Sequence, residues 1–195
     1  SNLPKLRQFH CYQNPIAELD VSPFENLWYL FCGNTGITQI DVSRNLQLRE
    51  LRCENTHLTS IDISKCENLT DLFCNNTDIS ELDISNNTLT DISALSTLVN
   101  LERFVFSSNQ VTALPEWPEG CKLQVIDGAY NAVTSLDNLS KMGSLTYIYM
   151  DYNQISNIDS LADCYCLVQV NVFGNPVSDV AALREHDIIV NYDPT

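Results

Sequence analysis

Hydrophobic residues return along this chain at a fixed interval, and the same run of apolar and polar positions accompanies each return. In the first part the copies begin at Leu6, Leu27, Leu48 and Leu69, which gives a 21-residue period. Cysteine recurs with the same period, at Cys11, Cys32, Cys53 and Cys74. A period in this range is typical of a solenoid, in which each unit buries its apolar face only against its neighbours.

The second part has a 22-residue period. Its copies begin at Leu101, Leu123, Leu145 and Leu167, and an asparagine recurs at Asn109, Asn131, Asn153 and Asn175. Apolar residues recur every three positions after each asparagine, which predicts 3₁₀ turns on that side of the coil. The asparagine amides are expected to pair with backbone groups that a sharp turn exposes to the interior.

Each copy also predicts a short strand. Leu51 and Cys53 alternate with polar residues, which is the period of two that a strand requires. The next apolar positions, Leu58, Ile61 and Ile63, predict an irregular return along the back of the coil. An aspartate that recurs with the same period, as at Asp62, is expected to accept hydrogen bonds from local turn N–H groups.

These phrases resemble the leucine-rich repeat family over nearly the whole chain, as Leu48, Leu51 and Cys53 show for the first array. The first array is similar to the 21-residue repeats of bacterial surface proteins. The second is similar to the 22-residue repeats of bacterial internalins and of phosphatase-regulatory proteins. The resemblance implies an α/β-type solenoid: a leucine-rich-repeat horseshoe of about eight repeats, with a parallel concave β-sheet and an irregular or 3₁₀ convex side. Threonine replaces the asparagine in three copies, and Gly128 stands where a leucine is expected.

The two arrays meet between Leu69 and Leu101, an interval about half as long again as one repeat. The stretch 79–85 fits either the back of the first array or a strand of the second. We expect only one of the two to hold, because the surplus of about half a repeat cannot make a full coil. The unbroken cysteine column favours a strand at Leu72 to Cys74, with a long convex excursion after Ser85 that holds a helical turn opened by Asp91 or Ser93.

The chain is therefore predicted to be a single domain over residues 1–195. The 21-residue repeats occupy residues 1–85, an irregular junction occupies 86–100, and the 22-residue repeats and the C-terminal end occupy 101–195. Because the chain starts in mid-repeat and without methionine, we expect it to be a fragment of a longer protein.

The net charge of −15 argues against nucleic acid and against anionic membrane surfaces as partners. No apolar run is long enough to predict membrane insertion. An acidic shell keeps a long solenoid soluble, so we expect a monomer; a basic partner is the alternative explanation of the charge.

The strand cysteines take the position that Phe106 and Met150 hold later, which predicts buried free thiols. Cys164 and Cys166 form a C-x-C pair without a second pair, so no zinc site is expected. The aspartate column lacks the glycine-rich phrase of calcium-binding repeats. The chain shows no phosphate loop or catalytic motif, and we expect neither an enzyme nor a cofactor or metal.

Residues that flank the inward strand positions point to the concave side, because side chains alternate along a strand. Aromatic and charged residues recur there in two clusters, and clustered exposed aromatics mark interaction sites. Stabilisation of the sheet by cross-strand contacts is the alternative. The candidate partner-binding residues are Tyr12, Tyr29, Phe31, Arg52, Phe73, Arg103, Asp127, Tyr130, Tyr147, Tyr149, Asp151, Tyr152 and Phe173.

The tyrosines of the second cluster, with Asp127 and Asp151 supplying charge for a lysine or arginine, are expected to seat a protein loop. The resemblance implies a binding module of a secreted or cell-surface bacterial protein, in adhesion or host-protein recognition, located outside the cell. Two alternatives are a structural spacer in a multidomain surface protein and an intracellular regulatory subunit that binds an enzyme.

Overall fold

The computed structural model describes residue 3 and residues 5–193. The described part of the chain coils through eleven short parallel strands: β1 (Gln8–His10), β2 (Tyr29–Phe31), β3 (Glu50–Arg52), β4 (Ser60–Asp62), β5 (Asp71–Phe73), β6 (Glu81–Asp83), β7 (Arg103–Val105), β8 (Val125–Asp127), β9 (Tyr147–Tyr149), β10 (Gln169–Asn171) and β11 (Ile189–Asn191). The 3₁₀ helices lie at Ser93–Thr97, Asp137–Leu139 and Asp159–Asp163, and a short helix, α1, lies at Ala181–Arg184. The predicted parallel-strand solenoid and its 3₁₀ turns are confirmed.

Within the described residues the strands form two sheets rather than one. Sheet A has the order β1-β2-β3-β5, and sheet B has the order β4-β6-β7-β8-β9-β10-β11. The strands β5 and β6 belong to the same coil, centred on Leu72 and Leu82. Leu72 pairs in register with Leu51 of the preceding coil, so the separation of Leu72 from Leu82 is about half of one coil. The sheet therefore changes sides at the junction between the arrays.

The expectation that only one of the two junction windows forms a strand is wrong. The strand at Leu72 exists, but Leu82 is also in a strand, because half a coil suffices to cross the core and begin a second flat side. The irregular return predicted around Ile61 is likewise wrong, since Ile61 lies in β4 and pairs in register with Leu82. The excursion after Ser85 does hold the expected turn, where the Ser93 N–H donates to the Asp91 carboxylate at 2.8 Å.

The strand cysteines line the core beneath sheet A. Cys32, Cys53 and Cys74 are buried and Cys11 is half-buried, and all four are free thiols. The Cys53 thiol donates to the Phe73 carbonyl at 3.4 Å. Burial raises the pKa of Cys32 to about 12 and raises the pKa of Cys53 well above its usual range. These groups are therefore neutral core side chains at physiological pH.

The asparagine column stabilises the turns of the second array as predicted. The Asn153 amide donates to the Gly128 and Met150 carbonyls at 2.9 and 3.1 Å, and its Oδ1 accepts from the Val133 N–H at 2.9 Å. Each asparagine thus connects its own coil to the one before it. A threonine in the first array has one hydroxyl proton, and Thr56 donates it within its own coil, to the Cys53 carbonyl at 2.7 Å.

The aspartate column accepts local hydrogen bonds, as expected. Asp62 Oδ1 accepts from the Ser64 N–H at 2.9 Å and from the Ser64 hydroxyl at 2.7 Å. Equivalent hydrogen bonds from Ser22 and Ser43 lower the pKa values of Asp20 and Asp41.

Gly128 has a packing role. A Cβ at this position would lie 2.0 Å from Phe106 Cζ. Phe106 is fully buried and stacks on Phe104 with ring centroids 4.8 Å apart. The leucine expected at residue 128 is absent because the Phe106 ring from the preceding coil fills its space.

Candidate partner-binding surface

The predicted site residues divide between the two sheets, so they do not share one surface. Those on sheet A and its strand exits are Tyr12, Tyr29, Phe31, Arg52 and Phe73. Those on sheet B and its strand exits are Arg103, Asp127, Tyr130, Tyr147, Tyr149, Asp151, Tyr152 and Phe173. The two groups occupy opposite sides of the solenoid because the sheets lie half a coil apart.

The aromatic residues of sheet A pack largely on one another. The Arg52 guanidinium lies 5.0 Å from the Phe31 ring centroid and 4.5 Å from that of Phe73. The His10 ring stacks on Phe31 at 4.4 Å, and Arg52 Nε donates to Glu50 Oε1 at 2.5 Å. These contacts cover ring faces that a partner would need, and they join neighbouring strands. For Phe31 and Phe73 these contacts are of the cross-strand stabilising kind described above.

Four of the five aromatic candidates of sheet B are exposed, whereas Tyr12, at 51%, is the exposed aromatic candidate of sheet A. Tyr130 is 57% exposed, Tyr152 is 53% exposed and Phe173 is 40% exposed. Tyr147 and Tyr149 point outward from the same strand, with parallel rings whose centroids are 6.4 Å apart. We call the surface formed by Tyr130, Tyr147, Tyr149, Tyr152 and Phe173 the tyrosine face.

Tyr130 and Tyr152 are the aromatic members of a column of left-handed residues that recurs from coil to coil. Each follows a strand by three residues and takes a left-handed conformation, with φ of 57° and 55°. In the coil of β6 the equivalent residue is Asn86, also with a φ of 57°. Asparagine adopts this conformation readily, whereas bulky side chains rarely do. The two tyrosine rings stack with centroids 4.6 Å apart and an angle of 11° between their planes.

The stack continues onto a glycine. Gly174 takes the next left-handed position, with φ of 66°, and a Cβ there would lie 2.5 Å from Tyr152 Cδ1. The Tyr152 ring is thus held between the Tyr130 ring and the Gly174 backbone. The sequence analysis did not identify Gly174. The sequence does contain a signal for Gly174. The residue before each asparagine of the column takes the left-handed conformation, and glycine adopts that conformation at the least cost.

Carboxylates lie beside the tyrosine face. Asp151 Oδ1 accepts a hydrogen bond from the Phe173 N–H at 2.8 Å, and Asp193 Oδ2 accepts one from the Gly174 N–H at 2.7 Å. Burial raises the pKa of Asp151; the Phe173 hydrogen bond opposes this change, and the nearby Asp127 and Asp193 carboxylates add to it. Asp193 was missed by the sequence analysis because it lies beyond the last recognised copy of the repeat.

Arg103 lies apart from the tyrosine face. It is in β7, opposite Glu81 in β6, and two strands from Tyr147.

The structure also shows a stack that the repeat pattern did not reveal. Trp28 lies between two guanidinium groups, with Arg7 at 4.1 Å and Arg49 at 4.5 Å from its ring. The stack runs across three coils at the entry to sheet A. Both faces of the indole are occupied, which indicates a stabilising rather than a binding role.

No three or more histidine, cysteine or acidic side chains come together as metal ligands among the residues that the structure describes. The described part of the chain also contains no helix that is long and apolar enough to cross a membrane.

Two family models match the chain. A model named Leucine Rich repeat matches residues 54–72, and one named Leucine Rich repeats (2 copies) matches residues 79–119. The second match begins two residues before β6, so it follows the arrangement of sheet B. A search of curated protein sequences found no match.

Solved structures of internalins from Listeria monocytogenes are similar to the chain. Internalin C2 is 27% identical, with a TM-score of 0.56, and the match covers 83% of this chain and 79% of that one. The functional domain of InlJ, which includes a cysteine ladder, is 25% identical with a TM-score of 0.55. That match covers 97% of this chain but 44% of the InlJ chain. InlF, at 24% identity and a TM-score of 0.55, shows the fold alone; 89% of this chain matches 64% of it.

Proposed function

Because the chain is a leucine-rich-repeat protein of the bacterial, internalin-like type, we propose that it is a protein-binding module whose partner docks on the tyrosine face of sheet B. The module belongs, in this proposal, to a secreted or cell-surface bacterial protein that acts in adhesion or in host-protein recognition. Internalin C2 and InlJ, at 27% and 25% identity, support the bacterial type. The chain spans 44% of InlJ, so the activity of a longer protein is part of the proposal.

One observation supports this surface above the others. Tyr130 and Tyr152 are more than half exposed, and both occupy a left-handed position that other coils fill with asparagine in four cases, or with Gln13, Ser108 and Gly174. A bulky residue in this conformation costs free energy, and such strained positions cluster at functional sites. The solenoid does not need tyrosine here, since the coil of β6 is built with Asn86 at the same position.

The geometry suits a protein ligand. Tyr147 and Tyr149 are fixed on a strand, and Tyr152 is held between Tyr130 and Gly174. Rings that are already ordered lose little conformational entropy on binding, so more of the contact energy appears as affinity. Tyrosine also combines an apolar ring with a hydroxyl group that can donate or accept a hydrogen bond.

Sheet A does not share these properties. Its Phe31 and Phe73 rings already contact Arg52, and Phe31 also contacts His10, so a partner would have to displace existing contacts there. The proposal therefore places the binding surface on the tyrosine face rather than on the whole predicted set.

The test is affinity capture with immobilised chain from host-cell and bacterial envelope extracts. The variant replaces Tyr130→Asn and Tyr152→Asn, which follows the precedent of Asn86. The control is Tyr165→Asn, because Tyr165 is 87% exposed but lies beyond the 3₁₀ helix Asp159–Asp163, away from both sheets. Hot-spot tyrosines contribute about 2 kcal/mol or more, so a partner captured by the wild type and the control should be lost with the double variant.

Capture of the same protein at the same level by the double variant would contradict the proposal. Loss of capture with the Tyr165 control but not with the double variant would mean that the side of the coil that carries Tyr165, rather than the tyrosine face, contacts the partner.

A further inference from the structure

Charge is divided unevenly along the chain. Residues 1–52 contain five basic and five acidic residues, and residues 53–195 contain five basic and twenty acidic residues. The entire formal net charge of −15 therefore belongs to the part of the chain that begins after β3. That part forms all of sheet B.

The outward positions of sheet B are strongly acidic. Outward and inward residues alternate, as the burial of Leu82 between exposed Glu81 and partly buried Asp83 shows. Along the described sheet and its strand exits, the outward acidic residues are Asp62, Glu81, Asp83, Asp127, Asp151 and Asp193. Arg103 faces outward among them and lies opposite Glu81.

We propose that the segment that docks on the tyrosine face is basic, rich in arginine or lysine, and belongs to a protein partner. This inference rests on the proposed function and adds the chemical class of the partner.

The local chemistry at the tyrosine face supports a cationic ligand. Burial raises the pKa of Asp151, and the neighbouring Asp127 and Asp193 carboxylates add to this change by repulsion. A guanidinium placed between such carboxylates removes the repulsion and forms charge-assisted hydrogen bonds. The Phe173 N–H bonds one oxygen of Asp151, and a carboxylate can accept further hydrogen bonds.

The tyrosine rings supply the second half of such a site. Cations are attracted to the faces of aromatic rings within about 6 Å of the centroid. Arg52 shows the arrangement within this chain, because its guanidinium lies 4.5 Å from the Phe73 ring. A basic segment across sheet B would place its cations over Tyr147 or Tyr130, with carboxylates alongside. An acidic partner would meet the same carboxylates and be repelled.

The test measures binding of two fluorescent peptides of equal length, one rich in arginine and one with glutamine at every arginine position. Fluorescence anisotropy is recorded at about 0.1 M and about 1 M salt, where the Debye lengths are roughly 10 Å and 3 Å. The face variant is Asp127→Asn with Asp151→Asn, which removes two charges and keeps the Oδ1 acceptors. The matched control is Asp137→Asn with Asp163→Asn, which removes two charges from exposed 3₁₀ turns.

The inference predicts saturable binding of the arginine peptide at the lower salt concentration. The face variant should bind it about tenfold more weakly, the control should stay within about twofold of wild type, and high salt should remove most of the difference. The glutamine peptide should bind weakly to all forms.

Three results would overturn the inference: no saturable binding of the arginine peptide, equal binding of the glutamine peptide, or an equal loss with the control, which would show attraction by net charge alone. The variant Tyr130→Asn with Tyr152→Asn distinguishes failure of the basic-segment inference from failure of the proposed function itself. If it weakens both peptides while the face variant changes neither, the tyrosine face binds protein but does not select basic segments. If it changes no binding while capture of the protein partner is also unaffected, the proposed function fails too.

Discussion

Replacing Tyr130 and Tyr152 by asparagine separates a binding role from a structural one. If the tyrosines are kept for a partner, the fold should tolerate their loss, because the coil of β6 has Asn86 at the same position. If instead the stacked pair holds sheet B together, the same double variant should destabilise the fold strongly. The free energy of unfolding is therefore the quantity to measure.

The expected magnitude follows from terms of opposite sign. The stacked rings contribute about 0.5–1.5 kcal/mol beyond their burial. Because each ring is more than half exposed, its burial contributes roughly 1 kcal/mol, below the range for a fully buried aromatic side chain. Against this, an L-residue in the left-handed region costs about 1–2 kcal/mol, and asparagine avoids part of that cost at both positions. The net loss should be at most about 1–2 kcal/mol for the pair.

Urea unfolding followed by circular dichroism measures this difference, with Tyr165→Asn as the exposed control. The account predicts a single transition with an unchanged m-value and a loss within that range. A loss of about 4 kcal/mol or more, or a second transition from separate unfolding of sheet B, would refute the reasoning. The tyrosines would then be structural, and the stack would no longer favour this face as a binding surface.

Further predictions concern the core and the turns. Gly128→Ala should lower the free energy of unfolding by about 1–3 kcal/mol, because its Cβ would overlap the buried Phe106 ring, and Phe106→Leu in the same chain should restore part of the loss in urea unfolding. If Phe106→Leu restores none of the stability, so that the losses in unfolding free energy of the two single variants simply add, this packing is contradicted. The Cys53 thiol should resist alkylation in the native protein and react only after unfolding, because burial covers it and raises its pKa. Exposed Cys166 should react at once, and mass spectrometry after alkylation distinguishes the two thiols. Rapid native labelling of Cys53 would show that the core beneath sheet A is open. Hydrogen bonds from Ser22 lower the pKa of Asp20 in the folded chain, so the stability that they contribute is complete above about pH 4 and is lost as the pH falls through the lower folded pKa. The midpoint of urea unfolding should therefore fall less between neutral and acid pH for Ser22→Ala than for the wild type.

Much of the coil could be predicted from sequence because its determinants are local and periodic. The interval between Leu51 and Leu72 sets one coil, and the amide of Asn153 donates to the Met150 carbonyl three residues before it. The serine–aspartate turns are predictable for the same reason. Within its own coil, each of these turns depends on residues only a few positions apart.

The change of side at the junction could not be predicted in this way. The stretch around Leu82 has the inward alternation of a strand, but its partner is decided by the register between coils. Ile61 pairs with Leu82, and Leu82 pairs with Phe104, so sheet B starts on the back of the first array. Local periodicity contains no information on which side of the coil a strand will pair.

The candidate surface was predicted in composition but not in arrangement. The outward positions of Tyr147 and Tyr149 follow from alternation alone. The separation of Phe31 from them does not, because it results from the change of sheet. The left-handed conformation of Tyr152 is set by the turn that precedes the asparagine ladder, and it becomes visible only when the coils are aligned.

Site-specific photo-crosslinking tests the central claim most directly. A benzophenone-bearing residue is placed at Tyr152 on sheet B, at Phe31 on sheet A, or at Tyr165 away from both sheets, and each form is irradiated with the captured partner. The account predicts a covalent adduct from residue 152 and none from residues 31 and 165. An adduct from residue 31 or 165, with none from residue 152, would contradict the claim that the partner binds the tyrosine face.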